Sequence, residues 1–256
     1  DSQAALFGQL CHEPGMVKAT YGTGTSVLMN VGARPIPSGN GLVTAVAWSI
    51  DGQMTYALEG IIRSSGDTLS WLKNELQLFD DYGVAEELAA SLPNNEGVYL
   101  VPAFVGLGIP HWDPDARAAI VGMSRGSGKA HIIRAGLESI AYQVRDTIEY
   151  MCAESGAQLK ELRADGGAVR NRLLMQFQAD QLQIDVRAVE TAELSAMGSA
   201  YLGGLATGYW SGLDELAALP RHTNTFRPQM DKDLANRYYQ GWQQAVKRVL
   251  TQDAGI

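Results

Sequence analysis

One feature of the sequence limits the possible folds more than any other: a regular stripe of apolar residues in the second half of the chain. After Lys129, apolar residues recur at intervals of four or three positions, at Ile133, Leu137, Ile140, Val144, Ile148 and Met151. This period is typical of the buried face of an amphipathic helix, and Gly156 predicts where that helix ends. Because strand-like segments lie on both sides of it in the sequence, the pattern predicts an α/β fold with this helix packed on a sheet.

Two β-hairpins are predicted before the long helix. The first covers residues 16–31 and turns at Gly22-Thr23-Gly24. The second joins residues 42–50 to 54–58 through Asp51-Gly52, a strong signal for a two-residue hairpin loop. These segments predict a small antiparallel sheet that ends near Leu58. A short apolar run over 97–101 predicts a further, buried strand.

Helices and strands alternate in the remainder of the chain. Periodicity and capping residues predict helices at the start of the chain and over 65–79, 85–92, 173–182, 195–209 and 234–250, with strands over 162–166 and 184–189. No internal repeat, low-complexity tract or linker interrupts this order. We therefore expect residues 1–256 to form a single domain.

Charge and cysteine content exclude several classes of function. The formal net charge is −8, which argues against nucleic acid as a partner because such binding depends on Lys and Arg. Small anionic ligands remain open, since backbone amides can bind phosphate without a basic patch. Cys11 and Cys152 show no zinc-ligand spacing, so no metal site is predicted and a reducing cytoplasm fits best. No apolar run is long enough to predict a membrane span.

Two glycine-rich turns are the first candidates for a functional site. Gly22-Thr23-Gly24 offers backbone amides and a hydroxyl with little Cβ interference, and Gly166-Gly167 is predicted to bring amides to a helix N-terminus, where anions are favoured. Neither matches a Walker A or a dinucleotide-binding fingerprint. Each turn alone is more often only a turn, so together they suggest nucleotide binding without establishing it.

Asp1 has two interpretations that the residues alone leave open. It precedes a predicted helix, where a carboxylate commonly caps the first amides. It could also act as a general base that accepts a proton from a substrate hydroxyl. The four histidines lack partner spacing and are predicted to be structural or exposed. In the loop before Ala116, Asp113 and Asp115 are predicted to form turns.

Several longer segments, taken together, resemble the FGGY family of carbohydrate kinases, in particular its glycerol kinases. They follow the family's order along nearly the whole chain: DSQAALFGQ, YGTGTSVLMN, YALEG, VPAFVGLGIPHWDPDARAAIVGMSRG, HIIRAGLESIAYQVRDTIE, DGGAVRNRLLMQFQADQL, GSAYLGGLATGYW and FRPQMD. The resemblance implies an actin/hexokinase-like fold of the ribonuclease H type, with this chain as the C-terminal one of two domains. The sequence opens on Asp1 without a methionine, and we expect the N-terminal domain to be the missing partner.

The resemblance also implies roles for individual residues. Asp1 aligns with the catalytic base; Gly22, Thr23 and Gly24 with the loop around the β- and γ-phosphates; Gly66 with a position near the phosphates; and Gly166, Gly167 and Asn171 with the adenosine-binding segment. The implied cofactors are ATP and Mg²⁺, and the implied substrate is a small polyol or sugar, with glycerol first. The family implies a homodimer or homotetramer. Without the other domain, the isolated chain is predicted to be inactive.

Two departures from the family pattern fall at substrate-binding positions. Ser2 stands where glycerol kinases usually have Gln, and Ser26 where they usually have Phe. Exchange of an amide and an aromatic ring for two hydroxyls predicts a larger, more polar pocket and a longer polyol. A third departure, Gly136, lies in the family's signature segment. Two alternatives remain open: a kinase for a ketose or aldonate, and a non-catalytic ATP-binding domain on the same scaffold.

Overall fold

The computed structural model describes residues 1–38, 41–190 and 193–251. Its main feature is a seven-stranded mixed sheet with strand order β3-β4-β2-β1-β7-β8-β9, accompanied by a two-stranded sheet, β5-β6. The strands are β1 (Met16–Tyr21), β2 (Thr25–Gly32), β3 (Val43–Ile50), β4 (Gln53–Ile62), β5 (Tyr99–Val101), β6 (Ala119–Val121), β7 (Glu161–Gly166), β8 (Val186–Val189) and β9 (Thr223–Phe226).

Helices cover both faces of the large sheet. They are α1 (Ser2–Gly8), α2 (Gly66–Asn74), α3 (Tyr82–Ala90), α4 (Lys129–Ser155), α5 (Arg172–Leu182), α6 (Leu194–Ala206), α7 (Leu213–Ala217) and α8 (Lys232–Lys247), with a 3-10 helix over Gly167–Arg170. None of these helices is long and apolar enough to cross a membrane. Cys11 and Cys152 are both free thiols.

Strand direction places four strand ends at one edge of the sheet. β1 is parallel to β7, and β7 is parallel to β8. β2 is antiparallel to both β1 and β4, so β4 runs in the same direction as β1. The carboxyl ends of β1, β4, β7 and β8 therefore lie along one edge, which we call the carboxyl edge. Ligands of open α/β sheets commonly bind at such an edge.

Alternating residues along the central strands divide the core in two. Val27 and Met29 of β2 face a large cluster that includes the α4 stripe and α5. Leu28, between them, faces a smaller cluster formed by α1, α6 and β3. The two helices of this second layer approach closely, because a Cβ atom on Gly198 would lie 1.7 Å from the carbonyl oxygen of Ala4. Successive side chains of β2 therefore point alternately into the two hydrophobic clusters, one on each face of the sheet.

The structure confirms the long helix and both hairpins. α4 ends at Gly156, which adopts a left-handed conformation with φ of +68°. The hairpins do not form a separate small sheet, however. They extend across one half of the seven-stranded sheet, because β1 pairs with β7 as well as with β2.

Other boundaries differ from the prediction. The strand predicted over 97–101 is limited to Tyr99–Val101 and pairs with β6 outside the main sheet. The helix predicted over 65–79 ends at Asn74, because Gln77 has φ of +52°, which an α-helix does not accommodate. The strands β6 and β9, the helix α7 and the 3-10 helix were not predicted.

Gly136 marks the contact between α4 and α2. A Cβ atom at this position would lie 2.7 Å from a methyl carbon of Leu72, which is fully buried. A glycine at position 136 therefore leaves room for the Leu72 side chain.

Candidate active site

The Gly22–Gly24 turn connects β1 to β2 at the carboxyl edge. The amide of Gly22 donates to the carbonyl of Gly24 over 2.8 Å, and the Thr25 hydroxyl donates to Ser65 Oγ over 2.7 Å. A Cβ atom on Gly24 would lie 2.4 Å from the carbonyl oxygen of Ile62, at the end of β4. The turn therefore needs glycine here, while Gly22 and Thr23 remain exposed.

The first residues of α2 are hydrogen-bonded to this turn. Gly66 N donates to the Gly22 carbonyl over 3.0 Å, and the amides of Ser65 and Asp67 both donate to the Thr23 carbonyl over 3.1 Å. A Cβ atom on Gly66 would lie 2.5 Å from the Gly22 carbonyl oxygen. The structure thus brings Gly66 next to Gly22, although 43 residues separate them.

The second glycine turn lies on the neighbouring strand. Gly166 is the register partner of Tyr21 in the parallel β1–β7 pair, so the two glycine turns are adjacent at the carboxyl edge. Gly166 has φ of +97°, and a Cβ atom there would lie 2.3 Å from the Tyr21 carbonyl oxygen. A Cβ atom on Gly167 would meet nothing within 4 Å. Gly166 is thus required by the backbone, whereas Gly167 faces open space.

The segment after Gly167 differs from the predicted direct entry into an α-helix. A 3-10 helix, Gly167–Arg170, comes first, and α5 then begins at Arg172. Asn171 is the N-cap of α5, and its side-chain oxygen accepts from Leu174 N over 2.8 Å. Its amide nitrogen is the remaining polar atom of that side chain.

Asp1 does not act as a side-chain cap of α1, so the helix-capping interpretation is wrong. Its carboxylate makes no capping hydrogen bond and the residue is exposed. Its carbonyl instead accepts from Ser195 Oγ over 3.1 Å, in the first turn of α6. Because α6 follows the carboxyl end of β8, this contact holds Asp1 near the carboxyl edge, with the half-buried Ser2 beside it.

A polar network lies beneath the Asp1 side of the sheet. Ser26 Oγ donates to Glu59 Oε1 over 3.1 Å, and Gln9 Nε2 donates to Asp165 Oδ2 over 2.8 Å. Lys18 is only 1% exposed, and the charges of Asp165 and Glu59 act on it. Burial lowers the pKa of the Lys18 ammonium, and the two carboxylates oppose that shift. The network spans four neighbouring strands, from β4 to β7.

Four members of this network were not predicted as site residues: Gln9, Lys18, Glu59 and Asp165. One signal was available in the sequence. Lys18 lies between Val17 and Ala19 in a strand whose flanking residues are fully buried, and a lysine in such a place needs charged partners. The partners themselves are distant in sequence and could not be named from it.

The glycine turns leave room for a phosphate group, since exposed backbone without Cβ atoms is concentrated at one edge. Among the described residues, no group of three or more His, Cys, Asp or Glu side chains could hold a metal ion. Asp113 was predicted to form a turn together with Asp115. Its Oδ1 accepts hydrogen bonds from the amides of Asp115 and Ala116, which is the expected Asx-turn geometry.

Comparison with known proteins identifies the family. The sequence model of the FGGY family of carbohydrate kinases, C-terminal domain, matches residues 17–207. The chain belongs to this family. The predicted resemblance is thereby confirmed, and so is the predicted α/β, actin/hexokinase-like fold of the C-terminal domain.

Relatives with glycerol kinase names match nearly the whole of this FGGY chain. A protein named glycerol kinase from Desulfitobacterium hafniense is 51% identical over 250 residues, which are 98% of this chain and 51% of that protein. The crystal structure of Plasmodium falciparum glycerol kinase with ADP has a TM-score of 0.93 and 36% identity, over 98% of this chain and 50% of that one. The chain therefore spans about half the length of the relatives it matches.

A solved structure of lower sequence identity shares the fold. The xylulose kinase from Rhodospirillum rubrum has a TM-score of 0.84 and 24% identity, over 97% of this chain and 50% of that one. The roles predicted for the individual site residues, and the prediction of a single domain over residues 1–256, stay predictions.

Proposed function

We propose that the complete polypeptide transfers a phosphoryl group from ATP to a terminal hydroxyl of a small polyol. In this proposal the FGGY chain supplies the nucleotide-binding half and the catalytic base. One observation carries it: the Gly22–Gly24 turn, the start of α2, the Gly166–Gly167 turn and Asp1 all lie at the carboxyl edge. Phosphoryl transfer depends mainly on positioning and electrostatic stabilisation, and the grouping of exposed glycine turns with a carboxylate at one edge supports such a role.

The nucleotide would extend between the two glycine turns. The exposed residues Gly22 and Thr23, together with Gly24 and Gly66, would surround the β- and γ-phosphates. The open space beside Gly167 would take the adenosine, with Asn171 donating from its side-chain nitrogen. Mg²⁺ would be held mainly by the phosphates and by water, and would neutralise charge on the transferred group.

Asp1 would serve as the general base. Its exposed carboxylate would accept the proton of the substrate hydroxyl while that oxygen forms a bond to the γ-phosphorus and the bond to the β,γ-bridging oxygen breaks. The missing N-terminal domain would close over the same edge and exclude water. The isolated chain is therefore expected to show little or no kinase activity.

The Asp1→Asn variant of the complete polypeptide tests this role. Loss of a general base typically lowers kcat by about 10²–10⁴-fold, and nucleotide affinity should stay unchanged. Asp115→Asn is the matched control, because Asp115 is also an exposed aspartate but belongs to the Asp113 turn and not to the proposed site. An Asp1→Asn enzyme with normal kcat would contradict the assignment. Nucleotide binding by a polypeptide that phosphorylates no polyol or sugar would favour the non-catalytic alternative.

A longer polyol than glycerol is the second candidate substrate. The Ser26 hydroxyl is bound to Glu59 and is half-buried, so this side of the site presents polar groups instead of an aromatic wall. Measurement of kcat/KM for polyols of three to five carbons would decide between glycerol and a longer polyol. If the longer chain is preferred, Ser26→Phe should shift the ratio of kcat/KM values toward glycerol; a strong wild-type preference for glycerol would end this idea.

The proposal also includes a cytoplasmic location and assembly as a homodimer or homotetramer. Two free cysteines, one of them fully buried, fit a reducing compartment. Light scattering on the complete polypeptide would give the assembly directly.

A further inference from the structure

A cleft of about 630 Å³ lies on the face of the large sheet that α1 covers. It is bordered by the end of α1, the strands β7 and β8, and the short helix α7. Its volume is in the range of pockets that hold small molecules. Among the described residues that line it, none belongs to the proposed nucleotide or polyol site. The cleft is therefore a candidate for a second, separate binding site.

Three arginines converge on this cleft from two directions. Arg163 of β7 and Arg187 of β8 are register partners, so their side chains leave the sheet on the same face. Arg221 approaches from the segment after α7, and the positive charge of Arg163 acts on it. Like charges placed in this way repel one another unless an anion offsets them.

A single carboxylate serves the two arginines of the sheet. Glu161 Oε1 accepts from Arg163 Nε over 2.6 Å, and its Oε2 lies 2.7 Å from Arg187 Nε. Each guanidinium therefore has only one oxygen of the same carboxylate, whereas a fully matched guanidinium binds both oxygens of its own. The pair retains a positive charge toward the cleft.

The remaining carboxylates at the cleft do not neutralise the third arginine. Glu13 is already paired with Lys160 over 2.8 Å, and Asp214 is exposed to water. Within the part of the chain that the structure describes, Arg221 has no carboxylate within salt-bridge distance. Three carboxylates thus face four cations here, although the chain as a whole carries a net charge of −8.

Buried polar atoms without a hydrogen-bond partner are concentrated around the same cleft. Among the described residues they include Arg221 Nε and Nη2, Gln9 Oε1 and His12 Nε2. All three residues line the cleft, and Gln9 is fully buried. Because an unpaired buried polar atom lowers stability, native proteins normally supply a partner for it. A polar ligand in the cleft would supply one.

The unpaired donors and acceptors indicate the class of ligand. Guanidinium groups bind phosphate through charge-assisted N–H donors in a planar fork. Gln9 Oε1 can only accept a hydrogen bond, so it fits a hydroxyl. Burial holds the pKa of the His12 imidazole at about 4, and the ring is hydrogen-bonded to the backbone of Phe7, so its neutral Nε2 is a second acceptor. The cleft therefore combines cationic donors with neutral acceptors.

We propose that this cleft binds a small phosphate ester that carries hydroxyl groups. Its phosphate would lie among Arg163, Arg187 and Arg221, and a hydroxyl would donate to Gln9 Oε1. Two of the guanidinium groups are held in advance, because Arg163 donates to the Gln9 carbonyl and Arg221 to the Gly8 carbonyl at the end of α1. Such preorganisation reduces the entropy lost on binding. The inference does not depend on the proposed kinase function, whose site residues it does not use.

Calorimetry with glycerol 3-phosphate on the complete polypeptide tests the inference. ADP and the polyol substrate are present at saturating concentrations, so that the active site is filled. We expect glycerol 3-phosphate to bind with a Kd at or below about 1 mM. Inorganic phosphate should bind about tenfold more weakly, because so small an anion cannot contact both the arginines and the acceptors.

Three arginine variants locate the binding. Arg221→Gln is expected to weaken glycerol 3-phosphate binding at least about tenfold, as the loss of a charge-assisted hydrogen bond typically does. Arg187→Gln should have a similar effect with less risk to folding, because this side chain is 46% exposed. Arg227→Gln is the matched control, since its side chain is 79% exposed and does not line the cleft. Thermal unfolding of each variant separates lost contact from lost folding.

The possible results are distinct. Equal affinity of the wild type, Arg187→Gln and Arg221→Gln would place the ligand elsewhere and overturn the inference, and so would a wild type with a Kd far above about 1 mM. Inorganic phosphate bound as tightly as glycerol 3-phosphate would overturn the proposed ligand class, because the hydroxyl contacts would be absent. Failure of ADP to bind in a separate titration would contradict the proposed kinase function, and the arginine variants would still decide on the cleft.

Discussion

Gly66 at the start of α2 rests directly on the carbonyl of Gly22, and a single added carbon would lie 2.5 Å from that oxygen. The contact joins two residues that are 44 positions apart in the sequence and fixes the position of the helix N-terminus relative to the phosphate turn. Their separation cannot increase without breaking the Gly66 N to Gly22 O hydrogen bond.

Gly66→Ala should therefore weaken both folding and nucleotide binding. Overpacking against a backbone atom typically lowers the free energy of unfolding by about 1–3 kcal/mol, and the shifted helix should reduce ADP affinity. Gly203→Ala is the control: it lies inside α6, has no neighbouring atom within 4 Å of an added Cβ, and should stabilise by about 0.5–1 kcal/mol. Urea unfolding and ADP calorimetry measure the two effects. If Gly66→Ala is as stable as the wild type, the Gly22–Gly24 turn can move to accommodate the added Cβ atom, which would contradict this prediction.

The two glycines after β7 should behave in opposite ways. Gly166→Ala introduces a Cβ atom at a φ of +97° and 2.3 Å from the Tyr21 carbonyl oxygen, so it should lower the free energy of unfolding by at least about 1–3 kcal/mol. Gly167→Leu points into open space and should change stability by less than about 0.5 kcal/mol, yet obstruct the nucleotide. A Gly167→Leu protein that binds ADP normally would place the adenosine elsewhere.

Local patterns predicted the elements whose signals lie within one segment. The stripe from Ile133 to Met151 and the Asp51-Gly52 turn identified α4 and the second hairpin. The strand β9 carries no such signal, because three of its four residues, Thr223, Asn224 and Thr225, are exposed and polar. The early end of α2 depends on the backbone conformation of Gln77, a residue type that does not usually mark a helix end.

The site was predicted in its parts and not in its arrangement. Glycine turns are visible in a sequence, but the parallel pairing that brings Gly166 beside Tyr21 joins residues 145 positions apart. Such pairings depend on the tertiary packing of both faces of the sheet. The burial of Lys18 between Glu59 and Asp165 follows from the same pairings, so its electrostatic role could not be inferred from its neighbours in sequence.

The two thiols should differ sharply in reactivity. Cys11 is fully buried, and burial raises the pKa of its thiol to about 12, whereas Cys152 is half-buried. The thiolate is the reactive form, so at neutral pH a disulfide reagent should label Cys152 slowly and leave Cys11 unlabelled until the protein unfolds. Cys152→Ser should abolish native labelling. Rapid labelling of that variant would show that α1 opens frequently.

Asp146 should make stability fall as pH rises through the weakly acidic range. Burial raises the pKa of its carboxyl from 3.8 to about 6, although Tyr239 and Trp242 both donate hydrogen bonds to it. Between these pKa values the folded state binds more protons, so the stabilisation is complete below about pH 4 and is lost as pH rises past about 6. Relative to Asp146→Asn, the wild type should lose on the order of 1–3 kcal/mol of unfolding free energy across that range. Parallel curves for the two proteins would contradict this.

His12 should produce the opposite trend over nearly the same pH range. Burial, together with the positive charges of Arg163 and Arg221, lowers the pKa of its imidazole from 6.5 to about 4, and its ring lies 4.5 Å from that of Phe7. Between these values the unfolded state binds more protons, so the free energy of unfolding rises with pH. The wild type should consequently show a flat profile in which the two groups offset each other. In His12→Gln, the free energy of unfolding should fall with pH because of Asp146. In Asp146→Asn, it should rise with pH because of His12. Equal slopes of unfolding free energy against pH in the two variants would show that neither group governs acid stability.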